Sequence, residues 1–97
     1  MRVLFTQGFK LFYNMAQKPK TLDPDTEDML RRLGARMKAL RLEKGHDNYE
    51  KFAMENEISR GQYWRYEKGQ DLNFSTLLRV VKALDTTLAE FFSEGFE

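Results

Sequence analysis

Residues 49–69, YEKFAMENEISRGQYWRYEKG, decide how this chain is expected to fold. Asn48 can cap a first short helix, because its side-chain oxygen accepts backbone N–H groups at a helix start. Ser59, followed three residues later by Gln62, has the spacing of a capping box and predicts the start of a second helix. The two predicted helices cover residues 49–56 and 60–68, and Gly69 ends the second. The pattern therefore predicts two short helices joined by a tight turn.

The second of these helices has two chemically different faces. Tyr63 and Tyr66 are three residues apart, so they share one face, and we expect that face to be buried. Ala53 in the first helix is small enough for the two helices to cross closely, and Ile58 is expected to fill the space under the turn. The opposite, exposed face is predicted to carry Arg60, Gly61, Trp64 and Arg65. Two arginines and a tryptophan are an unusual set for a merely solvated surface.

Three further helices are predicted around this pair. Asp23 and Pro24 are suited to begin a helix whose apolar residues recur at helical spacing until Gly45. The apolar residues of this helix are Leu30, Leu33, Met37 and Leu40. Ser75 is expected to cap a fourth helix, with an inward stripe of Leu77, Leu78, Val81 and Leu84. Thr87 and Glu90 form a second capping box, which predicts a short fifth helix through Phe91 and Phe92 that Gly95 closes. The expected fold is an all-α, compact five-helix bundle over residues 23–97.

The amino-terminal 22 residues differ from the rest and are interpreted as an extension and linker. Residues 16–23 are polar and contain a proline, which is typical of a linker. Residues 1–14 allow two interpretations: an appendage that packs on the domain or on a partner chain, or sequence upstream of a true start at Met15. The abrupt change of composition at Met15 favours the second, whereas the polar interruptions at Gln7, Gly8 and Lys10 argue against a signal peptide.

The composition limits the classes of protein to consider. The chain has 97 residues, enough for one domain, with 41% hydrophobic and 32% charged residues, an ordinary globular balance. It has no cysteine, so disulfides and thiolate metal sites are excluded, and a reducing, cytoplasmic location is expected. No apolar run approaches the roughly 20 residues that cross a bilayer, so no membrane role is expected. The net charge is only +1, so any binding of nucleic acid requires local clustering of basic residues.

Three segments together resemble the Cro/repressor type of helix-turn-helix protein, also called the XRE family. They are residues 33–45 (LGARMKALRLEKG), 49–69 and 75–92 (STLLRVVKALDTTLAEFF). The matching family features are a small residue in the second helix, a serine before the third and a Glu-Lys-Gly at its end. These features correspond to Ala53, Ser59 and Glu67-Lys68-Gly69. Order, spacing and flanking helices agree together, which makes the resemblance more specific than any one of them.

The resemblance implies that the chain binds double-stranded DNA, with the third helix in the major groove. It implies base contacts from Arg60, Gly61 and Arg65, and the exposed Trp64 is expected to contact a thymine methyl or a sugar. The expected phosphate contacts come from Tyr49, Gln62, Lys68, Asn73 and Ser75. Arg41 and Glu67 match the positions of a structural ion pair. Three departures from the family pattern are Glu57 in place of a turn glycine, a loop at residues 46–48 that is one residue longer, and Tyr49 in place of a glutamine.

The expected function is that of a small transcriptional regulator, a repressor that occludes a palindromic operator as a homodimer. Some of Phe91, Phe92 and Phe96 are expected to cover a partner protomer, since they exceed what a short helix can bury alone. The alternative is an antitoxin-like or adaptor module that binds a protein as well as DNA. The sequence shows no catalytic group, metal spacing or cofactor motif, and the single histidine, His46, is interpreted as a loop residue. No enzymatic activity, metal or cofactor is therefore expected.

Overall fold

Five side chains begin the five helices of the computed structural model, which describes residues 21–97. The helices are α1 (Pro24–Glu43), α2 (Tyr49–Glu55), α3 (Arg60–Glu67), α4 (Phe74–Ala83) and α5 (Leu88–Phe91), and no strand occurs in this range. Their N-caps are Asp23, Asn48, Ser59, Asn73 and Thr87, each accepting a backbone N–H of the first turn. The expected all-α class with five helices is confirmed. The two alternatives for residues 1–14, including a start at Met15, lie outside the described residues.

The start of α4 differs from the expectation. Asn73, not Ser75, is its N-cap: the Asn73 Oδ1 accepts the backbone N–H of Thr76 at 2.9 Å. Ser75 lies inside the helix, and its hydroxyl donates to the same Asn73 oxygen at 2.9 Å. Both side chains can accept a backbone N–H at a helix start. The structure uses Asn73, two positions earlier, and α4 begins at Phe74.

The core lies where α1, α2, α3, α4 and α5 meet. Its buried apolar residues are Met37, Leu40, Phe52, Ala53, Ile58, Tyr63, Tyr66, Leu77, Val80, Val81, Leu84 and Phe91. The stripe predicted for α4 was wrong at one position, because Leu78 is 41% exposed and Val80 is fully buried in its place. On α1, Leu30 and Leu33 are only half-buried. The buried part of α1 is therefore its carboxyl-terminal half, next to the α2–α3 pair.

A buried glycine lets α1 and α3 approach closely. Gly34 has no side chain, and a Cβ there would lie 2.6 Å from the carbonyl oxygen of Glu67 and closer still to that of Tyr66. No real Cβ occupies such a position without a backbone shift. The distance between α1 and the end of α3 is therefore set by direct contact between the two backbones.

Two arginines of α1 hold the carboxyl-terminal residues. Arg36 donates through Nε to the carbonyl oxygen of Phe91 at 2.7 Å and through Nη2 to that of Glu90 at 2.9 Å. These carbonyls belong to the last turn of α5, where helical carbonyls lack their usual partners. That of Glu90 also accepts the backbone N–H of Ser93 at 3.1 Å and the Ser93 hydroxyl at 2.7 Å. Arg32 donates to the carbonyl oxygen of Glu97 at 2.9 Å. Phe91 is fully buried within the chain, whereas Phe92 and Phe96 keep exposed surface. The expectation that some of these phenylalanines cover a partner protomer stays a prediction, and it now concerns Phe92 and Phe96.

Within residues 21–97, no helix is both long enough and apolar enough to cross a membrane.

Candidate nucleic-acid interface

The turn between α2 and α3 brings the two helices together over a small side chain. Ala53 is completely buried, and its carbonyl oxygen accepts the backbone N–H of Ile58 at 2.8 Å. Ile58 itself is buried under the turn, as the sequence predicts. Glu57 has a φ of 59°, a left-handed conformation that favours glycine. The turn therefore keeps the geometry for which glycine is the preferred residue, and it tolerates a glutamate there at some cost in strain.

The two faces of α3 are divided as the sequence predicts. Tyr63 and Tyr66 are buried, and the Tyr63 ring packs against Phe52 of α2 with 5.3 Å between ring centroids. The outward face is formed by Arg60, Gly61, Trp64 and Arg65, all of them exposed. We call these four residues together with Lys68 the outer face of α3. The core contacts on the opposite side hold this face in a fixed orientation.

The outer face of α3 is positively charged because the one acid of the helix is turned inward. Arg60, Arg65 and Lys68 are exposed, whereas Glu67 is bound by Arg41 of α1. Lys68 Nζ lies 5.3 Å from the centroid of the Trp64 ring, a cation–π geometry between residues four apart on the helix. The arrangement concentrates cationic charge beside an exposed aromatic ring, in a chain whose total charge is close to zero.

Arg41 and Glu67 form a buried, bidentate ion pair. Arg41 Nε lies 2.7 Å from Glu67 Oε2 and Nη2 lies 3.2 Å from Oε1, with side chains only 4% and 7% exposed. The hydrogen bond to Glu67 raises the pKa of Arg41 above its ordinary value, and the carboxylate's charge adds to the effect. The third guanidinium nitrogen, Nη1, donates to the carbonyl oxygens of His46 at 2.7 Å and Asp47 at 3.0 Å. Arg41 thus connects α1, the α1–α2 loop and the end of α3.

The Tyr63 hydroxyl is buried beside this pair without a hydrogen-bond partner among the described residues. Burial raises the pKa of Tyr63 well above its ordinary value, and the nearby Glu67 carboxylate raises it further. The hydroxyl is near enough to Arg41 and Glu67 for both charges to affect its pKa. It makes no hydrogen bond with either side chain. Tyr63 is therefore held in its neutral form in the folded protein.

Gln62 and Ser75 are less available to phosphates than the sequence suggests. Gln62 Oε1 accepts the Tyr66 hydroxyl at 3.2 Å instead of returning to the Ser59 backbone, so only half of the predicted capping box forms. The amide nitrogen of Gln62 remains a possible donor. The hydroxyl proton of Ser75 is used by Asn73, so a phosphate contact from this hydroxyl would require that bond to break. Its backbone N–H, in the first turn of α4, has no intrahelical acceptor.

The remaining phosphate candidates lie at helix starts away from α3. Tyr49 is the first residue of α2 and is half-buried against the core. Asn73 is the N-cap of α4, and its oxygen is already engaged, which leaves its amide N–H groups as donors. No hydrogen bond among residues 21–97 joins Tyr49, Asn73 or Ser75 to the outer face of α3. The structure thus places the base-reading candidates on one helix face and these phosphate candidates on two other helices.

Sequence reasoning missed three structural residues of this region. Gly34 could have been found, because a glycine inside a helical pattern costs stability and signals a close approach. Arg36 and the orphan hydroxyl of Tyr63 had no such signal, since their roles depend on which distant groups the fold brings beside them. Among residues 21–97, no group of three or more histidine, cysteine, aspartate or glutamate side chains is placed to hold a metal ion.

No protein-family model matches the chain, and no curated protein matches it.

Proposed function

We propose that this protein binds double-stranded DNA in a sequence-specific manner, through a helix-turn-helix of the Cro/repressor type formed by α2 and α3. One observation carries the proposal: α3 turns its single acid into a buried ion pair and presents Arg60, Arg65 and Lys68 to solvent. A helix with this charge distribution complements the phosphates that line the major groove. Its opposite face is fixed by buried tyrosines, as reading base edges requires a rigid support.

In the proposed complex, the outer face of α3 lies in the major groove. Arg60 and Arg65 donate to guanine O6 and N7, the commonest specific contact of arginine with DNA. Trp64 provides apolar contact with a thymine methyl or a sugar. A Cβ at Gly61 would meet only the tip of Arg65, at 3.8 Å, so this position leaves room for a close approach of the helix backbone to base edges.

Phosphate contacts position the helix in this proposal and carry no sequence information themselves. Lys68 and the amide groups of Gln62 and Asn73 supply side-chain donors, and the Tyr49 hydroxyl supplies another. Ser75 contributes its backbone N–H rather than its hydroxyl. The starts of α2 and α4 both present unpaired backbone N–H groups, which favour anions.

A regulator of this kind acts by occupying its operator. We propose a cytoplasmic repressor that binds a palindromic site as a homodimer, with half-sites separated by about one helical turn of roughly 34 Å. The exposed surfaces of Phe92 and Phe96 are the aromatic groups available for contact between protomers.

Selection from random duplex DNA at two salt concentrations tests the proposal. We expect an enriched palindromic site for the full chain, and a loss of base preference of about 1–3 kcal/mol at single positions for Arg60→Ala and for Arg65→Ala. Arg31→Ala is the matched control, because Arg31 is an exposed arginine on α1 whose removal changes the net charge equally. Uniform weak binding that disappears with salt and ignores both α3 variants would contradict the proposal.

The alternative of a protein-binding module has one observation in its favour. An apolar groove lies between α1, α4 and the carboxyl-terminal residues, away from the outer face of α3. A protein partner in that groove would make the chain an adaptor that also binds DNA.

A further inference from the structure

The amino-terminal half of α1 borders an apolar groove of about 280 Å³. Its apolar lining comes from α1, α4 and the carboxyl-terminal residues: Met29, Leu30, Leu33, Leu77, Phe92 and Phe96. Met29 is 46% exposed, and Phe92 is similarly exposed. These side chains together form a contiguous apolar surface against which an apolar segment can pack.

The charge of the domain is opposite to that of the segment that precedes it. Residues 1–20 contain Arg2, Lys10, Lys18 and Lys20 and no acid, a net charge of +4. The whole chain carries +1, so residues 21–97 carry −3, from twelve basic and fifteen acidic residues.

Several of these acids are close in the sequence to residues that line the groove. Asp25 and Glu27 are in the first turn of α1, and neither forms an ion pair with another residue of the described range. At the carboxyl-terminal side, Glu97 directly follows the lining residue Phe96 in the sequence, whereas the carboxylate of Glu94 lies 3.9 Å from Arg36 Nη1. Three acids next to lining residues in the sequence, Asp25, Glu27 and Glu97, thus form no ion pair within the described range.

The preceding segment has matching chemistry and sufficient reach. Seven of the residues 3–13 are large and apolar: Val3, Leu4, Phe5, Phe9, Leu11, Phe12 and Tyr13. The groove runs along α1 from Thr26 to Leu33, a length of about 10 Å at the helical rise of roughly 1.5 Å per residue. The intervening residues 14–23 can span up to about 33 Å when extended, at roughly 3.3 Å each, so residues 3–13 can reach every part of the groove.

We propose that residues 3–13 cover this groove within the same chain, with their apolar side chains against its lining and with attraction between the basic segment and the net-negative domain adding to the contact. The short connection gives the segment a high effective concentration at the groove, which a separate partner must exceed. The proposal is independent of DNA binding, because no groove residue belongs to the outer face of α3.

Methionine oxidation tests the proposal with the full 97-residue chain. Met29 lines the groove, whereas Met54 is 62% exposed on α2 and serves as the control within the same molecule. Peroxide oxidation follows exposure. If the groove is open, the similar exposures of the two methionines predict oxidation rates within about twofold of each other. Covering of the groove predicts that Met29 sulfoxide, followed by peptide mass spectrometry, forms several-fold more slowly than Met54 sulfoxide.

Two variants and a control identify what protects Met29. Phe5→Ser combined with Phe9→Ser and Phe12→Ser should bring the Met29 rate up to that expected from its exposure. Thr6→Ala combined with Gln7→Ala, polar positions of the same segment, should leave the protection intact. Arg2→Glu combined with Lys10→Glu reverses the charges without removing an aromatic side chain and should weaken the protection, more so at low salt.

Three results would overturn the proposal. One is an oxidation rate of Met29 in the unsubstituted chain that is within about twofold of the Met54 rate, since the groove would then be open. Another is protection that survives the three serine substitutions, because some other group would then cover Met29. The third is protection that disappears on dilution over about a hundredfold range, which would assign the groove to a second copy of the chain by mass action.

Discussion

Arg41 donates four hydrogen bonds from one buried guanidinium, two to the Glu67 carboxylate and two to loop carbonyls. A buried charge is tolerated when it is paired and hydrogen-bonded; here Glu67 pairs the charge, and the loop carbonyls accept both N–H groups of Nη1. The resemblance to the Cro/repressor type predicted the pair with Glu67. The bonds to His46 and Asp47 could not be predicted, because they depend on the path of the α1–α2 loop.

Removing one partner of this pair should destabilise the domain strongly. Glu67→Ala leaves the Arg41 charge buried without its carboxylate, and we expect the free energy of unfolding to fall by about 3–5 kcal/mol. Urea denaturation measures the change. Glu55→Ala is the control, because the Lys51–Glu55 pair is exposed with 4.0 Å between its charged atoms, and its loss should cost less than about 1 kcal/mol. Similar losses in both variants would show that the Arg41–Glu67 pair is solvated in solution.

The buried hydroxyl of Tyr63 should make the free energy of unfolding fall at alkaline pH. The folded-state pKa of Tyr63 is raised, whereas the unfolded chain ionises this group near its ordinary value of 10.0. Neutral Tyr63 therefore contributes its full stability below pH 10, and that contribution is lost as the pH rises above it, by about 1.4 kcal/mol per pH unit. Tyr63→Phe removes this loss and keeps the ring contact with Phe52.

Urea denaturation of the unsubstituted protein and of Tyr63→Phe between neutral pH and pH 11 checks the direction of this pH dependence. Near neutral pH the variant should be within about 1 kcal/mol of the unsubstituted protein, because the hydroxyl it lacks has no hydrogen-bond partner. Above pH 10 the variant should become the more stable of the two. Parallel stability curves over the whole range would mean that the Tyr63 hydroxyl ionises equally in the folded and unfolded states.

At the scale of elements, α1 and α3 are held at a distance that only glycine permits. A Cβ at Gly34 would collide with backbone carbonyls at the end of α3, which cannot move aside as a side chain can. We expect Gly34→Ala to destabilise the domain by about 1–3 kcal/mol or more through overpacking. Thermal unfolding followed by circular dichroism is a sufficient measurement.

Gly61→Ala is the matched control for this prediction. Gly61 lies in α3 but faces solvent, and an added Cβ would meet only the tip of Arg65. Alanine has the higher helix propensity, so this substitution should raise stability by up to about 1 kcal/mol. If both alanine variants were more stable than the unsubstituted protein, the close approach of α1 and α3 would be wrong.

Helix existence and type could be predicted from the sequence because caps and apolar spacing are local signals. The start of α4 was misplaced since Asn73 and Ser75 have the same cap chemistry two residues apart, and local sequence does not say which is used. Leu78 was assigned to the core from its spacing, but the packing of α4 places Val80 there. The hold of Arg36 on the end of α5 joins residues more than fifty positions apart, beyond the reach of any local pattern.

For the molecule as a whole, the contrast between a net-negative domain and the basic outer face of α3 governs the predicted salt dependence of DNA binding. Residues 21–97 are net negative, so attraction to DNA must come from the outer face of α3 and a few helix starts. Each phosphate contact from a basic side chain adds about 0.9 to the magnitude of the slope of log K against log salt. Lys68→Gln should reduce that magnitude by about 0.9 and weaken binding to all sequences alike.

Fluorescence anisotropy titrations with a fixed duplex over a series of salt concentrations measure this slope. Lys38→Gln, an exposed lysine of α1, is the control with the same change of net charge and should leave the slope unchanged. Equal effects of both substitutions would show that binding follows total charge and not the face we assign.

The separation of the two faces of α3 has a consequence for how such a protein diversifies. The residues that fix α3 in place are Tyr63, Tyr66 and Glu67, and none of them belongs to the four positions assigned to base reading. Mutations at those four positions can therefore accumulate without a penalty in folding. A lineage of this chain could acquire new operators by drift at the exposed positions while the scaffold stays under purifying selection, and an engineer could randomise the same four codons in a library.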